Sequence, residues 1–285
     1  MRFAKAHGLG NDFLLVADAD VPEDFGPWAR RLCERHTGAG ADGVLRFKLD
    51  GQNVRMWLIN ADGGLVELSG NGVRCLAAYC VHRAWLPPAH VVLTPSGPRP
   101  VVVHPLAGAV YKVETGLGEP RLKSTDIPMA LEVPHVRVVD HPVEVLGERV
   151  LITATSMGNP HCSVFLPQPA DDATVARLGQ ALEHHPLFPK RTNVEFVTVV
   201  SRSELRVRFW ERGVGPTRSS GTGSAGAFVA AVLRGECDRR ARVVCDGGAL
   251  EVDWPEHGAV TQVGEVEVLY EAEWVASEDD PTPVA

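Results

Sequence analysis

The sequence predicts a mixed α/β protein with more strand than helix, built from two similar halves. Short runs rich in Val, Ile and Phe recur along the chain, which is typical of strands. Helical spacing of apolar residues is confined to a few stretches. The predicted strands include residues 13–16, 91–93, 101–103, 194–197 and 205–209, and the predicted helices residues 28–35, 73–85, 172–182 and 224–234.

A repeated motif indicates that the two halves arose by duplication. Ser69-Gly70-Asn71-Gly72 opens one helical stretch, and Ser220-Gly221-Thr222-Gly223 opens another 151 positions later. A strand-like run and then a polar residue precede each motif, Asn60 in the first half and Glu211 in the second. Further upstream, residues 10–14 and 158–162 echo each other in the same order, each opening with Gly-Asn.

Composition limits the class of protein. The chain has 285 residues, 45% of them apolar, which allows one large core or two modest ones. No apolar run approaches the roughly 20 residues that span a bilayer, and the N-terminus has no apolar signal core. The net charge of −8 and the lack of a basic cluster argue against nucleic-acid binding. We therefore expect a cytoplasmic protein with neither a membrane nor a nucleic-acid partner.

The cysteines and histidines predict neither disulfides nor a metal site. Six cysteines lie far apart without a C-x-x-C pair, and the spacing of structural zinc sites is absent. The tail after Ala276, rich in Asp, Glu and Pro, is expected to fray. The cysteines are Cys33, Cys75, Cys80, Cys162, Cys237 and Cys245.

The two glycine-rich turns are candidate anion sites. Free N–H groups at a helix N-terminus, together with the helix dipole, attract a carboxylate. The backbone of Gly70 and Asn71 in one half, and of Gly221 and Thr222 in the other, would supply these groups. The alternative is a pair of ordinary turns with serine caps. The duplication of the motif favours a small ligand held by both halves.

Polar side chains cluster in sequence near these turns. Asparagines at strand ends could bind ammonium and carboxylate groups, and the fork of Arg212 could bind a carboxylate. Glu211 could pair with an ammonium group or orient a hydroxyl. Asparagine also terminates strands simply because it tolerates turns, so each asparagine keeps both interpretations. The asparagines are Asn11, Asn60, Asn159 and Asn193, with His161 beside Asn159.

Seven ordered blocks between residues 5 and 223 resemble the diaminopimelate epimerase family. They begin with Lys5-Ala6-His7-Gly8-Leu9-Gly10-Asn11-Asp12-Phe13 and end with Gly221-Thr222-Gly223. The blocks between them are residues 35–43, residues 60–63 together with 70–75, and residues 157–162, 191–196 and 210–213.

The resemblance implies a fold of two pseudo-symmetric domains, each a curled, mainly antiparallel sheet around a central helix, with the active site in the cleft between them. The N-terminal domain would cover residues 1–117 and regain the C-terminal segment from about residue 266 to 285. The second domain would cover residues 118–265, and the turn-rich stretch 116–120 marks the join. No cofactor is used in that family. A homodimer is one oligomeric state that we consider.

The family chemistry is proton exchange at an amino-acid α-carbon by two cysteines, each at the start of a central helix. It converts LL- to meso-diaminopimelate for lysine and cell-wall precursor synthesis. By resemblance, His161 would lie near the first position and Glu211 near the second. The substrate α-carboxylate would lie on the paired helix N-termini, with Glu211 near the α-ammonium. Asn60, Asn159, Asn193 and Arg212 would hold the distal amino-acid group, and Asn11 would shape the pocket.

The chain departs from the family at both catalytic positions, which are Ser69 and Ser220. A serine hydroxyl is a far weaker acid than a thiol and needs a strong adjacent base. Cys75 lies nearly two turns further along the helix, too far to replace a thiol at residue 69. The family's usual run at the second site, Ala-Cys-Gly-Thr-Gly-Ala-Cys-Ala, is changed here at several positions. This favours natural divergence over an engineered pair of substitutions.

Three functions are consistent with this sequence. The first is a cofactor-independent epimerase or racemase, slowed or altered by its serines. The second is a lyase or another isomerase on the same scaffold, and the third is an amino-acid-binding protein without turnover. We expect Ser69 and Ser220 on opposite sides of one cleft. A core His161 with both ring nitrogens bonded to backbone would instead indicate a structural role.

Overall fold

The chain divides into two compact units. The computed structural model describes residues 1–22, 25–66 and 68–275, so the tail expected to fray lies outside the described residues. The first unit consists of Met1–Thr115 and the segment that begins at Gly264, and the second of Gly116–Val263. The domain limits predicted at residues 117 and 265 stay a prediction.

The chain contains two sets of ten elements in the same order, and one further strand precedes the second set. The last strand of the second set crosses from the second unit into the first and lies mostly in the first. The first set is β1 (Arg2–Gly8), β2 (Asn11–Ala17), α1 (Phe25–Cys33), β3 (Gly43–Asp50), β4 (Asn53–Asn60), β5 (Leu65–Val66), α2 (Gly70–His82), β6 (Ala89–Thr94), β7 (Gly97–Pro105) and β8 (Val110–Gly118). A short 3-10 helix, Asp18–Asp20, follows β2.

The second set follows β9 (Val138–Val145). It is β10 (Glu148–Ser156), β11 (Pro160–Phe165), α3 (Asp172–Glu183), β12 (Asn193–Ser201), β13 (Glu204–Glu211), β14 (Gly215–Thr217), α4 (Gly221–Leu233), β15 (Arg240–Cys245), β16 (Gly248–Asp253) and β17 (Val260–Glu273).

The strand pairing repeats along with the order. In each set the second and third strands pair in parallel, as do the fourth and sixth (β2–β3 and β4–β6, then β11–β12 and β13–β15). The other neighbouring pairs within each set are antiparallel. The registers also match, because Phe13 pairs with Gly43 as His161 pairs with Asn193. The predicted fold class, two pseudo-symmetric α/β halves with mainly antiparallel sheets, is confirmed.

A buried central helix organises each unit. Every residue of α2 from Gly70 to Cys80 is buried, as is every residue of α4 from Gly221 to Ala231. Strands on several sides enclose α2 (β1, β2, β4, β6 and β7) and α4 (β10, β11, β12, β13, β15 and β16). A helix enclosed in this way is mostly apolar or small, which explains its Ala, Val and Gly content, and Arg74 of α2 is buried as an exception.

The four predicted helices are all present, but α2 and α4 begin three residues earlier than predicted. The glycine-rich turn is itself the first helical turn, because a serine cap offsets the low helix propensity of glycine. None of the described helices is long and apolar enough to cross a membrane.

Candidate active site

Each central helix begins with a serine cap. The Ser69 hydroxyl oxygen accepts a hydrogen bond from the Gly72 N–H at 3.1 Å, and the Ser220 hydroxyl oxygen accepts one from the Gly223 N–H at 3.2 Å. Both serines have extended backbones, with φ of −128° and −140°. The capping role considered as the alternative is therefore present in both units. A single cap satisfies only one N–H of the first turn, so the cap and an anion site are compatible.

The first unit holds Asn11 by two side-chain hydrogen bonds. Its Nδ2 donates to Asp42 Oδ2 at 2.7 Å, and its Oδ1 accepts from Asn71 Nδ2 at 3.1 Å. Asn71 in turn accepts a hydrogen bond from Arg74, which is fully buried in α2. An amide has two donor hydrogens and two acceptor positions, so one of each remains on Asn11 for a ligand.

Four charged side chains form an ionic network, and one of them, Asp42, accepts the hydrogen bond from Asn11. Asp12 contacts Lys5 at 2.8 Å and Arg35 at 2.7 Å, and Arg35 also reaches Asp42 Oδ1 at 2.8 Å. Burial opposes ionisation of Asp12, but the hydrogen bonds and charges of Arg35 and Lys5 outweigh it and lower the Asp12 pKa to about 2. This network joins β1, β2 and the loop before β3, and it was not predicted from the sequence.

Asn60 ends β4, where its backbone N–H donates to the Gly64 carbonyl at 2.9 Å. Its backbone faces that of Gly43 in the β3–β4 ladder. The turn that follows β4 leads toward the Ser69 cap through β5. Asn60 therefore has the strand-terminating role expected of asparagine, and its predicted contact with substrate stays a prediction.

In the second unit, a chain of hydrogen bonds runs from a buried carboxylate to the first turn of α4. Glu195 Oε1 lies 2.6 Å from His161 Nδ1, and His161 Nε2 lies 3.0 Å from Asn159 Oδ1. Asn159 Nδ2 then donates to Thr222 Oγ1 at 3.3 Å. His161 is fully buried, yet side chains rather than backbone groups bond both ring nitrogens. The structural role considered for His161 required backbone partners, which it lacks.

Glu195 is the partner that sequence reasoning missed. Burial raises its pKa, while the hydrogen bonds from His161 and from Ser163, at 3.4 Å, act in the opposite direction. A carboxylate that is 1% exposed in the middle of a strand is costly unless it is paired. The signal available in the sequence was a charged residue inside the apolar run 194–197.

The turn between β13 and β14 carries Glu211 and Arg212. Glu211 Oε1 accepts from Thr217 Oγ1 at 2.8 Å, and Arg212 Nη1 donates to the Lys190 carbonyl at 3.2 Å. Asn193 accepts from the Arg212 backbone N–H at 3.0 Å and donates to the Pro160 carbonyl at 2.8 Å. Asn193 therefore anchors backbone at the edge of the site, and it sets the position of Arg212.

Glu183, at the end of α3, accepts hydrogen bonds that hold the same turn in place. It is 3% exposed and accepts from Trp210 Nε1 at 2.7 Å and from the Gly213 N–H at 2.9 Å. The indole of Trp210 lies against Gly179, where an added Cβ would come within 2.6 Å of the ring. Helix α3 thus fixes the turn that carries Glu211 and Arg212.

No remaining cysteine provides a reactive thiol near the two serines. Burial raises the pKa of Cys75 to about 12, and burial together with the charge of Glu195 raises that of Cys162. High pKa values of this kind belong to inert structural cysteines. Within residues 1–22, 25–66 and 68–275, no three His, Cys, Asp or Glu side chains are grouped so as to hold a metal ion.

The structure brings the predicted residues together in two sets. Asn11 and Asn71 meet at the start of α2, behind the Ser69 cap. His161 is bonded to Asn159, and Asn159 to Thr222, which lies in the first turn of α4, the helix that Ser220 caps. The predicted approaches of His161 to Ser69 and of Glu211 to Ser220, and the predicted common cleft, stay predictions.

Solved structures with this fold are racemases, epimerases and relatives. A probable proline racemase from Agrobacterium radiobacter superposes with a TM-score of 0.71 at 14% identity, covering 98% of this chain and 94% of that one. A hydroxyproline epimerase from Agrobacterium vitis gives a TM-score of 0.69 at 15% identity, covering 99% and 92%. At these identities the likeness establishes the fold alone: a duplicated α/β scaffold with a central helix in each half.

Sequence comparison is more specific. The family model described as diaminopimelate epimerase matches residues 3–122 and 153–269. The diaminopimelate epimerase of Pelotomaculum thermopropionicum is 42% identical over 282 residues, which cover 96% of this chain and 99% of the relative. That of Desulforudis audaxviator is 43% identical over 281 residues, with the same coverage. This chain belongs to the diaminopimelate epimerase family.

Because of the Asp12 network, the free energy of unfolding is expected to change with pH in the acidic range. The folded-state pKa of Asp12, about 2, lies below the ordinary aspartate value of 3.8. The network therefore contributes stability above pH ~4, and that contribution is lost as the pH falls toward ~2. We expect wild type to lose ~2 kcal/mol more unfolding free energy over this range than Asp12→Asn, measured by urea unfolding. Parallel pH dependences of the two proteins would contradict this assignment.

Glu183 should stabilise the turn far more than an exposed glutamate does. Glu183→Ala leaves the Trp210 indole N–H without its acceptor, so we expect a loss of ~2–3 kcal/mol in unfolding free energy. The matched control is Glu148→Ala, which removes an exposed ion pair with Arg177 at 2.8 Å and should cost less than ~1 kcal/mol. Equal losses in the two variants would show that Glu183 does not brace the turn.

Proposed function

We propose that this chain is a cofactor-independent isomerase that interconverts LL- and meso-diaminopimelate. The observation that carries the proposal is the family match across both units. The repeated helix N-termini support it, because two capped, glycine-rich turns suit a substrate whose α-carbon must be reached from two faces. The product would serve lysine and cell-wall precursor synthesis.

In this proposal the substrate α-carboxylate lies on the N–H groups of Gly70, Asn71, Gly221 and Thr222. The positive ends of the helix dipoles favour a carboxylate there. Asn11 contributes its remaining donor and acceptor, and the fork of Arg212 binds the distal carboxylate. Asn60 and Asn159 hold the distal amino-acid group, while Glu211 pairs with the α-ammonium. Asn193 acts on this group indirectly, through the Arg212 backbone that it anchors.

The serines limit the chemistry. Each hydroxyl oxygen already accepts a helix N–H, and its own proton is far less acidic than that of a thiol. A general base works best when its pKa lies near the operating pH, which a hydroxyl does not approach. We therefore propose slow epimerisation in which Ser69 and Ser220 act with His161 and Glu211 as the working bases.

Thiols at both positions should restore the rate. We expect Ser69→Cys with Ser220→Cys to raise α-proton exchange of LL-diaminopimelate in D₂O by about 10³- to 10⁵-fold, equivalent to ~4–7 kcal/mol of activation free energy. Either single substitution should help much less, because removal and return of the proton occur on opposite faces. One-dimensional NMR of the substrate α-proton measures the exchange.

Ser203→Cys controls for the mere addition of a thiol, since Ser203 is exposed in the turn between β12 and β13. It should leave the exchange rate unchanged. Ordinary enzymatic turnover in the unmodified protein would contradict the thiol-centred explanation. Tight binding without exchange in both proteins would indicate a binding protein instead, and release of water or ammonia would indicate a lyase.

A further inference from the structure

The His161–Glu195 pair is a buried polar contact that the fold itself does not require. Because the strand registers of the two units match, each member of the pair has an equivalent in the first unit. Position 161 corresponds to Phe13, and position 195 corresponds to Leu45. Both equivalents are buried and apolar. At these equivalent positions the first unit therefore has two apolar side chains, whereas the second unit has a carboxylate bonded to an imidazole.

Ser163 extends this difference to a third position. It corresponds to Leu15, which is also buried and apolar in the first unit. In the second unit Ser163 donates to the second carboxylate oxygen of Glu195 at 3.4 Å. Both oxygens of Glu195 are therefore bonded, one to His161 and one to Ser163. Three equivalent positions are polar only in the second unit, and together they fix one imidazole ring.

Gly226 of α4 lies against the His161 ring and leaves the space that the ring occupies. A Cβ added at Gly226 would lie 2.8 Å from Cγ and 2.9 Å from Cβ of His161, closer than real side chains approach. The equivalent helix position in the first unit is Cys75, so the central helix does not require glycine there. Helix α4 confines the ring from one side while Glu195 holds its Nδ1 edge.

The contacts define the protons that the pair carries. His161 Nε2 faces the amide oxygen of Asn159, whose nitrogen donates to Thr222, so Nε2 bears a hydrogen. A second proton lies between Nδ1 and Glu195 at a heavy-atom separation of 2.6 Å. The pair therefore holds one proton more than a neutral ring beside an ionised carboxylate. On its Nε2 side, the pair is linked through Asn159 to Thr222 in the first turn of α4.

We propose that Glu195 is a positioning residue, which holds His161 so that the pair stores and returns a proton at one face of the substrate α-carbon. The inference rests on the proposed epimerisation. In the forward step the Nε2–H bond breaks and a C–H bond forms at the substrate carbanion. The ring becomes neutral, keeps its Nδ1 proton and remains bonded to ionised Glu195. Removal of an α-proton reverses each change.

The test uses Glu195→Gln, with Glu204→Gln as the matched control. Glu204 lies at the far end of β13, where it pairs with Arg242 at 3.1 Å. In ¹⁵N-histidine-labelled protein without substrate, we expect a low-field proton resonance coupled to His161 Nδ1. This resonance should persist in Glu204→Gln and be lost or displaced in Glu195→Gln. An unchanged resonance in Glu195→Gln would overturn the proposal.

Exchange kinetics provide the second readout. Glu195→Gln should lower kcat for α-proton exchange of diaminopimelate by about 10²-fold, with KM changed less than about twofold. A purely structural role would lower thermal stability and leave kcat of the folded fraction unaltered, which would overturn the proposal. His161→Phe with Glu195→Leu copies the first unit, so it should fold and lose kcat to the same extent. If Glu195→Gln does not fold, Glu195→Asp decides the question, because it keeps His161 and the carboxylate but shortens the reach to Nδ1, and an unaltered kcat would overturn the proposal.

The two proposals fail in different ways. Wild-type protein that binds diaminopimelate without exchanging its α-proton would overturn the proposed function. The His161 resonance needs no turnover, so it would still support or overturn the positioning by Glu195. Exchange at equal rates in wild type and Glu195→Gln would leave the epimerase assignment standing and remove Glu195 from it.

Discussion

The enclosure of a helix N-terminus by sheet is the constraint on which each unit depends. A helix exposes its first N–H groups at its start, and burial leaves them no bulk water to bond. In both units a serine hydroxyl accepts a hydrogen bond from the N–H of the third helical residue. The glycines of the first turn let neighbouring groups approach its backbone closely. The remaining donors concentrate positive potential at one point of each unit. The carboxylate-binding sites that we propose at these points are therefore compatible with the way in which each central helix is buried.

The duplicated architecture makes its exceptions informative. Ten elements and their pairings repeat, so a difference between equivalent positions does not come from the backbone plan. Phe13 and Leu45 show that apolar residues fill the equivalent space well. Replacing a buried ion pair by apolar residues of similar volume is often neutral or stabilising by about 1–4 kcal/mol. Stability alone therefore gives no reason to retain His161 and Glu195 at that position, and a polar pair kept without a stability advantage is the usual pattern of a functional site.

The sequence allowed the fold class, the duplication and the four helices to be predicted. The spacing of apolar residues and the order of the repeated motifs can both be read directly along the chain. It also identified the asparagines at strand ends, since asparagine has few roles there. It did not reveal the Asp12 network, the brace formed by Glu183 or the partner of His161. The central contact of each joins distant residues: Asp12 and Arg35 are 23 positions apart, Glu183 and Trp210 are 27, and His161 and Glu195 are 34. Such contacts depend on register, which no residue encodes alone. Glu195 was visible only as a charge in an apolar run, and its partner emerged from the pairing of β11 with β12.

Serine at a helix N-cap also changes the balance between stability and reactivity. Serine is among the best N-cap residues and contributes about 0.5–2 kcal/mol over alanine, and cysteine is not among the preferred caps. The N–H groups that would stabilise a thiolate instead hold a neutral hydroxyl in both units. The chain therefore has firmly capped central helices in place of two acidic thiols. In the second unit, hydrogen bonds link the first turn of α4 through Asn159 to the buried pair His161 and Glu195. The asymmetry between the units and the loss of the thiols thus have one interpretation in the proposed mechanism: where the cap is inert, the acid–base function passes to the buried pair.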